Sequence, residues 1–190
     1  DARQLQRTAY ARAHPDEKLL PSTEPHEDFV DKIVRHISTK PTYMYRYDVG
    51  DMWLREDNIK RESGVTRSID KLIQKVEVGQ KMHCSSEEDV IRRLKAFFIA
   101  LEFVGVLNNT YEDGPRQYIH HLNKFCHEHG DLVLLIRLDK AIRQKIYEDQ
   151  TDTDHNEHRT FRDALKKVIS NFEAIQQTVV ADDKMKQVLN

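Results

Sequence analysis

The feature that most constrains this chain is a set of large apolar residues between Ser86 and Leu107, spaced by three and four positions. At about 3.6 residues per turn, that spacing places every member on one face of an α-helix. Ser85 or Ser86 can cap the helix, and the acidic residues that follow suit the positive end of its dipole. We therefore predict a helix over 86–107 that buries Val90, Leu94, Phe97, Phe98, Leu101 and Val104.

The same spacing recurs along the chain and predicts further helices at 1–13, 25–38, 50–63, 65–78, 116–129, 131–149 and 159–179. The helix at 131–149 is apolar nearly all round at its start, which marks it as central. The fold class is therefore all-α, a single helical bundle of about six to eight helices. The first predicted helix has Leu5, Ala9 and Ala13 on one stripe, and we expect the second to bury Phe29, Ile33, Val34 and Ile37.

Proline positions suggest how the bundle is bounded. Pro15, Pro21 and Pro25 lie close together near the start of the chain, a pattern typical of a linker. We predict an N-terminal arm and linker at 1–24, a helical domain at 25–180 and a fraying C-terminal tail at 181–190. Because the chain begins at Asp1 rather than methionine, we expect it to be part of a longer protein.

Tyrosines alternate with other residues at Tyr43, Tyr45 and Tyr47. Strict alternation predicts either a short extended segment at 42–48 or an aromatic arm packed on helices. Exposed aromatic side chains are typical of binding surfaces. We therefore predict that these tyrosines, together with Trp53, contact a partner.

Composition excludes several classes of protein. Lys and Arg total 30 against 32 Asp and Glu, a net charge of −2, which disfavours a surface dedicated to nucleic acid or anionic lipid. No apolar run is long enough to span a membrane. Cys84 and Cys126 are too few for a disulfide framework and favour an intracellular location, cytoplasmic or nuclear. We find no phosphate-binding loop or nucleophile motif, and so predict no catalytic residues and no cofactor.

A helix-turn-helix pattern at Asp57–Val76 predicts one nucleic-acid surface. Gly64 would turn the chain, and Arg67 and Lys71 on the second helix would face DNA. Basic and acidic residues are equally numerous between 50 and 80, so an ordinary helix pair is the preferred interpretation. A second basic surface is predicted at Arg92, Arg93, Arg137 and Lys140.

Histidine and cysteine spacing predicts two metal sites. Cys126 and His129 lie three positions apart on one predicted helix, as chelation from a helix requires. His155 and His158 have the same spacing in an acidic loop. That loop resembles a calcium loop, but Glu157 replaces the glycine that the turn needs. A small apolar thiol and a solvated acidic loop are the simpler interpretations.

The function most consistent with these patterns is a non-enzymatic helical domain for assembly or partner binding, with a protein partner or a second copy of the chain bound. Its size and helical content are similar to those of the helical capsid domains of retroelement polyproteins. That likeness of architecture implies a capsid-like or scaffold role, and no diagnostic motif accompanies it. The alternatives are a helix-turn-helix DNA-binding domain and a metal-dependent enzyme or sensor that uses the histidine clusters.

Overall fold

The structure, a computed structural model, describes residues 2–39, 47–57, 82–108, 114–151 and 160–188. Within those ranges the chain is all helical, with seven α-helices and no strand, which confirms the predicted fold class. None of the described helices is long and apolar enough to cross a membrane. The helices are α1 Ala2–Ala13, α2 Glu27–Thr39, α3 Glu87–Phe103, α4 Pro115–His129, α5 Leu132–Thr151, α6 Phe161–Ser170 and α7 Phe172–Val188, with a 3-10 turn at Val49–Asp51.

The core lies where α3 and α5 meet their neighbours. The predicted face of α3 is buried, with only Val104 at its edge. The helix α5 packs against α4, α6 and α7, which agrees with its central position in the prediction. Aromatic rings meet edge to face through the core, a favourable geometry for rings of this type. These contacts join Phe29 to Tyr47, Phe97 to Phe161, Phe98 to Tyr118, and Tyr118 to Phe172.

Helix ends follow the expected capping chemistry. The Ser86 hydroxyl accepts a hydrogen bond from the Asp89 amide and caps α3. Gly130 ends α4 in the left-handed conformation, at a φ of 59°, which costs glycine little because it has no Cβ. Gly114 begins α4 at a φ of 93°. The start of α3 and both ends of α4 are therefore fixed by local sequence.

The single helix predicted at 159–179 is wrong. The chain forms two helices, α6 and α7, which meet at Asn171. The Asn171 side chain donates to the Lys167 carbonyl at 3.0 Å, and such a local bond competes with the continuing helix ladder. The helix α7 then extends to Val188, so residues 181–188 are helical rather than frayed.

The predicted burial pattern of α2 also needs correction. Val34 is 43% exposed, and Val30 is buried on α2 in its place. Leu5 is 72% exposed, and Ala9 and Ala13 are exposed too. The helix α1 thus turns its small apolar residues to solvent, because its polar face makes the contacts with the rest of the chain.

Candidate functional site

The inner face of α1 is polar. Arg3, Gln6, Arg7, Tyr10 and His14 are the members of α1 and its C-terminal end that are at least partly buried. Their spacing by three and four places them on one side of the helix. The Gln6 amide donates to the Phe103 carbonyl at 3.0 Å, so α1 is held against the end of α3. The predicted N-terminal arm is, in this structure, packed on the body of the chain.

A buried carboxylate fixes α1 from a second direction. Glu24 is 1% exposed. It accepts from Arg7 at 2.5 Å and from Arg55 at 2.8 Å. A buried carboxylate needs such partners, because desolvation of an unpaired charge is costly. The segment between α1 and α2 is therefore tied both to α1 and to the segment after the 3-10 turn.

His14 joins the end of α1 to α3. Its Nε2 lies 2.9 and 3.0 Å from the two carboxylate oxygens of Glu102. A carboxylate only accepts, so Nε2 carries the proton and donates. The Tyr10 ring stacks on the imidazole with a centroid distance of 4.0 Å. Nδ1 is buried without a hydrogen-bond partner and lies 3.8 Å from an oxygen of Glu17.

Glu17 connects the same region to α4. It accepts from the Tyr10 hydroxyl at 2.9 Å and from Arg116 at 3.0 Å. Burial, and then the hydrogen bond to Glu17, raise the pKa of Tyr10 well above its ordinary value. Tyr10 therefore remains a hydrogen-bond donor throughout the physiological pH range. Glu17 and Glu102 together anchor the end of α1 across α3 and α4.

These contacts enclose a half-open cleft of about 610 Å³ between α1, the segment that follows it, α3 and α4, which we call the α1 cleft. Its volume is within the range of about 300–1,000 Å³ that is typical of ligand sites. Ile99 is partly exposed at its floor. The apolar lining consists of Leu19, Phe98, Ile99, Leu107, Pro115 and Ile119.

Some charged residues in the lining of the α1 cleft form ion pairs or hydrogen bonds within the described part of the chain, and others do not. Glu17 and Glu102 are engaged as described above. Lys18 and Lys95 are both exposed and line the cleft. Within the described residues, neither lysine forms an ion pair or hydrogen bond. The cleft therefore combines a partly exposed apolar floor with two lysines that pair with no carboxylate among the described residues.

The lining carries little of the chemistry that covalent catalysis needs. Among its described residues, the hydroxyls are those of Tyr10 and Thr23. The Thr23 hydroxyl is already bonded to the Leu20 backbone. Both cysteines are outside the cleft, and burial raises the pKa of the Cys84 and Cys126 thiols. Neither thiol is the activated thiolate that acts as a nucleophile.

The basic residues predicted to contact nucleic acid are paired with carboxylates wherever the structure describes them. Arg93 is 4% exposed and donates to Asp57 at 2.7 Å, so it is not available to a phosphate. Arg67 and Lys71 lie outside the described residues, and their role stays a prediction. The other three pairs are Arg92 with Glu56, Arg137 with Asp183 and Lys140 with Asp48.

The aromatic residues predicted to contact a partner are divided between two regions. Tyr47 is 2% exposed and Trp53 is 6% exposed, so both rings belong to the core. The Lys32 ammonium lies 5.4 Å and 5.3 Å from the centroids of these two rings. Packing in the core is therefore sufficient to explain why Tyr47 and Trp53 are aromatic. Tyr43 and Tyr45 lie outside the described residues, as does most of the predicted extended segment.

The predicted metal ligands are likewise divided. Cys126 is partly buried and His129 is exposed on α4. The His129 ring packs on Phe125, with centroids 4.4 Å apart. In the part of the chain that the structure describes, no group of three His, Cys, Asp or Glu side chains is arranged to hold a metal ion. His155 and His158 lie outside that part.

No protein-family model matches this chain, and no curated protein or solved structure is detectably similar to it.

The α1 cleft was not predicted from the sequence. Tyr10 and His14 lie one helical turn apart, which was an available signal for a buried aromatic pair. The cleft itself comes from four segments that are distant in the sequence, so no local pattern could indicate it.

Proposed function

We propose that this chain is a non-enzymatic helical module that binds a protein partner, and that the α1 cleft is its docking surface. The observation that carries the proposal is the partly exposed apolar floor beside a charged rim. Protein interfaces have this anatomy, with apolar anchors at the centre and polar residues around them. Partner binding is also the function expected from the sequence, but the proposed binding surface is the α1 cleft instead of the aromatic segment at 42–48.

Contacts between the segments that form the cleft support this proposal. Its walls are fixed by Glu102 with His14, by Glu17 with Arg116 and by Gln6 with the Phe103 carbonyl. A preorganised surface loses less conformational entropy when a partner binds. The absence of an activated nucleophile from the described lining favours binding over covalent catalysis.

Site-specific photo-crosslinking tests the proposal. A photoreactive phenylalanine derivative is introduced at Ile99, inside the cleft, and at Val133 as the control. Val133 is 57% exposed on α5 and does not line the cleft. We expect an adduct from position 99 and none from position 133 when the chain is irradiated in extract of its source cells. The adduct is then identified by mass spectrometry and rebuilt from purified components.

Light scattering separates the two kinds of protein partner. A molar mass that rises from 22.4 kDa to a defined oligomer with concentration indicates self-association. If that oligomer is lost when Ile99 is replaced by Ser, the cleft binds a second copy. A monomer at every concentration, together with a foreign adduct from position 99, identifies a different protein. Equal adducts from positions 99 and 133, or none from either, would reject the proposal.

A further inference from the structure

The chemistry of the α1 cleft indicates what kind of segment it accepts. On α3, Lys95, Ile99 and Glu102 follow one another at spacings of four and three, so they share one face. Ile99 lies between Lys95, which pairs with no carboxylate in the described part of the chain, and Glu102, which is bound to His14. Lys18 lines the cleft from the segment after α1. The apolar floor of the cleft and the two lysines, Lys18 and Lys95, are therefore neighbours on this surface.

Charge complementarity restricts the occupant further. The two carboxylates of the lining already accept hydrogen bonds within the chain, Glu102 from His14 and Glu17 from Tyr10 and Arg116. Lys18 and Lys95 have no such partner within the described residues. Complementary charges across an interface select the partner and speed its association. A basic occupant would therefore place like charges together at the rim.

We propose that the α1 cleft binds an acidic segment of a foreign protein, in which an apolar side chain is flanked by Asp or Glu. This inference rests on the proposed function. The apolar side chain contacts Phe98, Ile99 and Ile119, and the flanking carboxylates pair with Lys18 and Lys95. Nucleic acid fits less well, because its sugar–phosphate backbone offers no apolar side chain to Phe98, Ile99 and Ile119.

Fluorescence polarisation of short labelled peptides tests the chemistry on the full chain. The probe has two leucines flanked by runs of glutamate. One comparison peptide has lysine in place of every glutamate, and another has serine in place of both leucines. We expect the glutamate–leucine peptide to bind most tightly, and its Kd to rise with salt because exposed ion pairs are screened.

Two sets of variants locate the binding. The Lys18→Glu, Lys95→Glu double variant is expected to raise the Kd of the acidic peptide about tenfold, because two surface ion pairs become like-charge contacts. The Lys184→Glu, Lys186→Glu variant changes net charge equally on α7, away from the cleft, and should leave the Kd unchanged. Ile99→Ser is expected to raise the Kd of every leucine-containing peptide. Val133→Ser is the control and should leave these Kd values unchanged.

The outcomes separate this inference from the proposed function. If acidic and basic leucine peptides bind equally and both require Ile99, the cleft is a docking surface but the acidic chemistry is refuted. If the acidic peptide binds equally to all variants, its site is elsewhere and the inference is refuted. Displacement of the probe by hexanoate at a similar concentration would identify a free apolar acid as the ligand, and would overturn the peptide assignment. Failure of the photo-crosslink at position 99 would reject the proposed function itself.

Discussion

Tyr118→Phe removes one hydroxyl from a polar cluster inside the core. The Tyr118 side chain is 1% exposed, and its hydroxyl donates to Asp139 at 2.7 Å. Asp139 is fully buried and also accepts from Arg143 at 2.6 Å. Without the hydroxyl, one oxygen of this carboxylate loses its donor in a place that water does not reach.

The size of the effect follows from that geometry. A hydrogen bond to a charged group contributes roughly 1.5–3 kcal/mol, so we expect Tyr118→Phe to lower the free energy of unfolding by about 2 kcal/mol at neutral pH. With a urea m-value of roughly 2 kcal/mol/M, the unfolding midpoint falls by about 1 M. Urea titration followed by circular dichroism measures this directly.

The pH dependence of the same variant provides an independent check. Burial, and then the Asp139 charge, raise the pKa of Tyr118 well above its ordinary value. The stabilisation is therefore complete below the unfolded-state pKa of about 10, and it is lost as pH rises beyond that value at about 1.4 kcal/mol per unit. The difference between wild type and Tyr118→Phe should shrink to less than about 1 kcal/mol at pH 11. A variant as stable as wild type at pH 7, or a difference that does not change between pH 8 and 11, would refute this reasoning.

Three further substitutions test the backbone geometry, each by urea unfolding with an unchanged m-value as the sign of an intact fold. Gly114→Ala should cost about 2 kcal/mol or more, because the residue has positive φ and a Cβ would lie 2.7 Å from Ile169; full stability would contradict that geometry. Gly50→Ala should cost at least about 2 kcal/mol, since its Cβ would lie 2.4 Å from the Met82 carbonyl, and a neutral result would mean that the two segments are not in contact. Ser86→Ala should cost about 1 kcal/mol through loss of the α3 cap, whereas Ser86→Asp should restore most of it; equal loss in both would exclude the cap as the cause.

The apolar helices could be predicted because their burial follows helical period. The inward face of α3 was identified correctly, since Leu94, Phe97 and Leu101 have no favourable alternative to the core. Ser86 was one of the two residues predicted to cap α3, because capping depends on residues only three positions away. Local rules are sufficient wherever the determining contact is itself local.

The packing of α1 and the cleft could not be predicted, because the contacts that determine them are distant in sequence. Gln6 is bound to the carbonyl of Phe103, 97 positions along the chain, and His14 to Glu102, 88 positions away. The apolar spacing placed Leu5, Ala9 and Ala13 on one stripe of this helix, and that stripe is exposed. A face held by hydrogen bonds and ion pairs has no periodic apolar signal, so three-dimensional structure was needed to recognise it.

The most direct test of the docking surface is the affinity of the rebuilt complex between this chain and the partner identified by crosslinking. Isothermal titration calorimetry would compare wild type, Ile99→Ser and Val133→Ser. If Ile99 is a buried anchor, its loss costs about 1.5 kcal/mol or more, so we predict a Kd at least about tenfold weaker for Ile99→Ser. Val133→Ser should bind as wild type does. Equal affinity of all three proteins would contradict the assignment of the α1 cleft as the site where the partner binds.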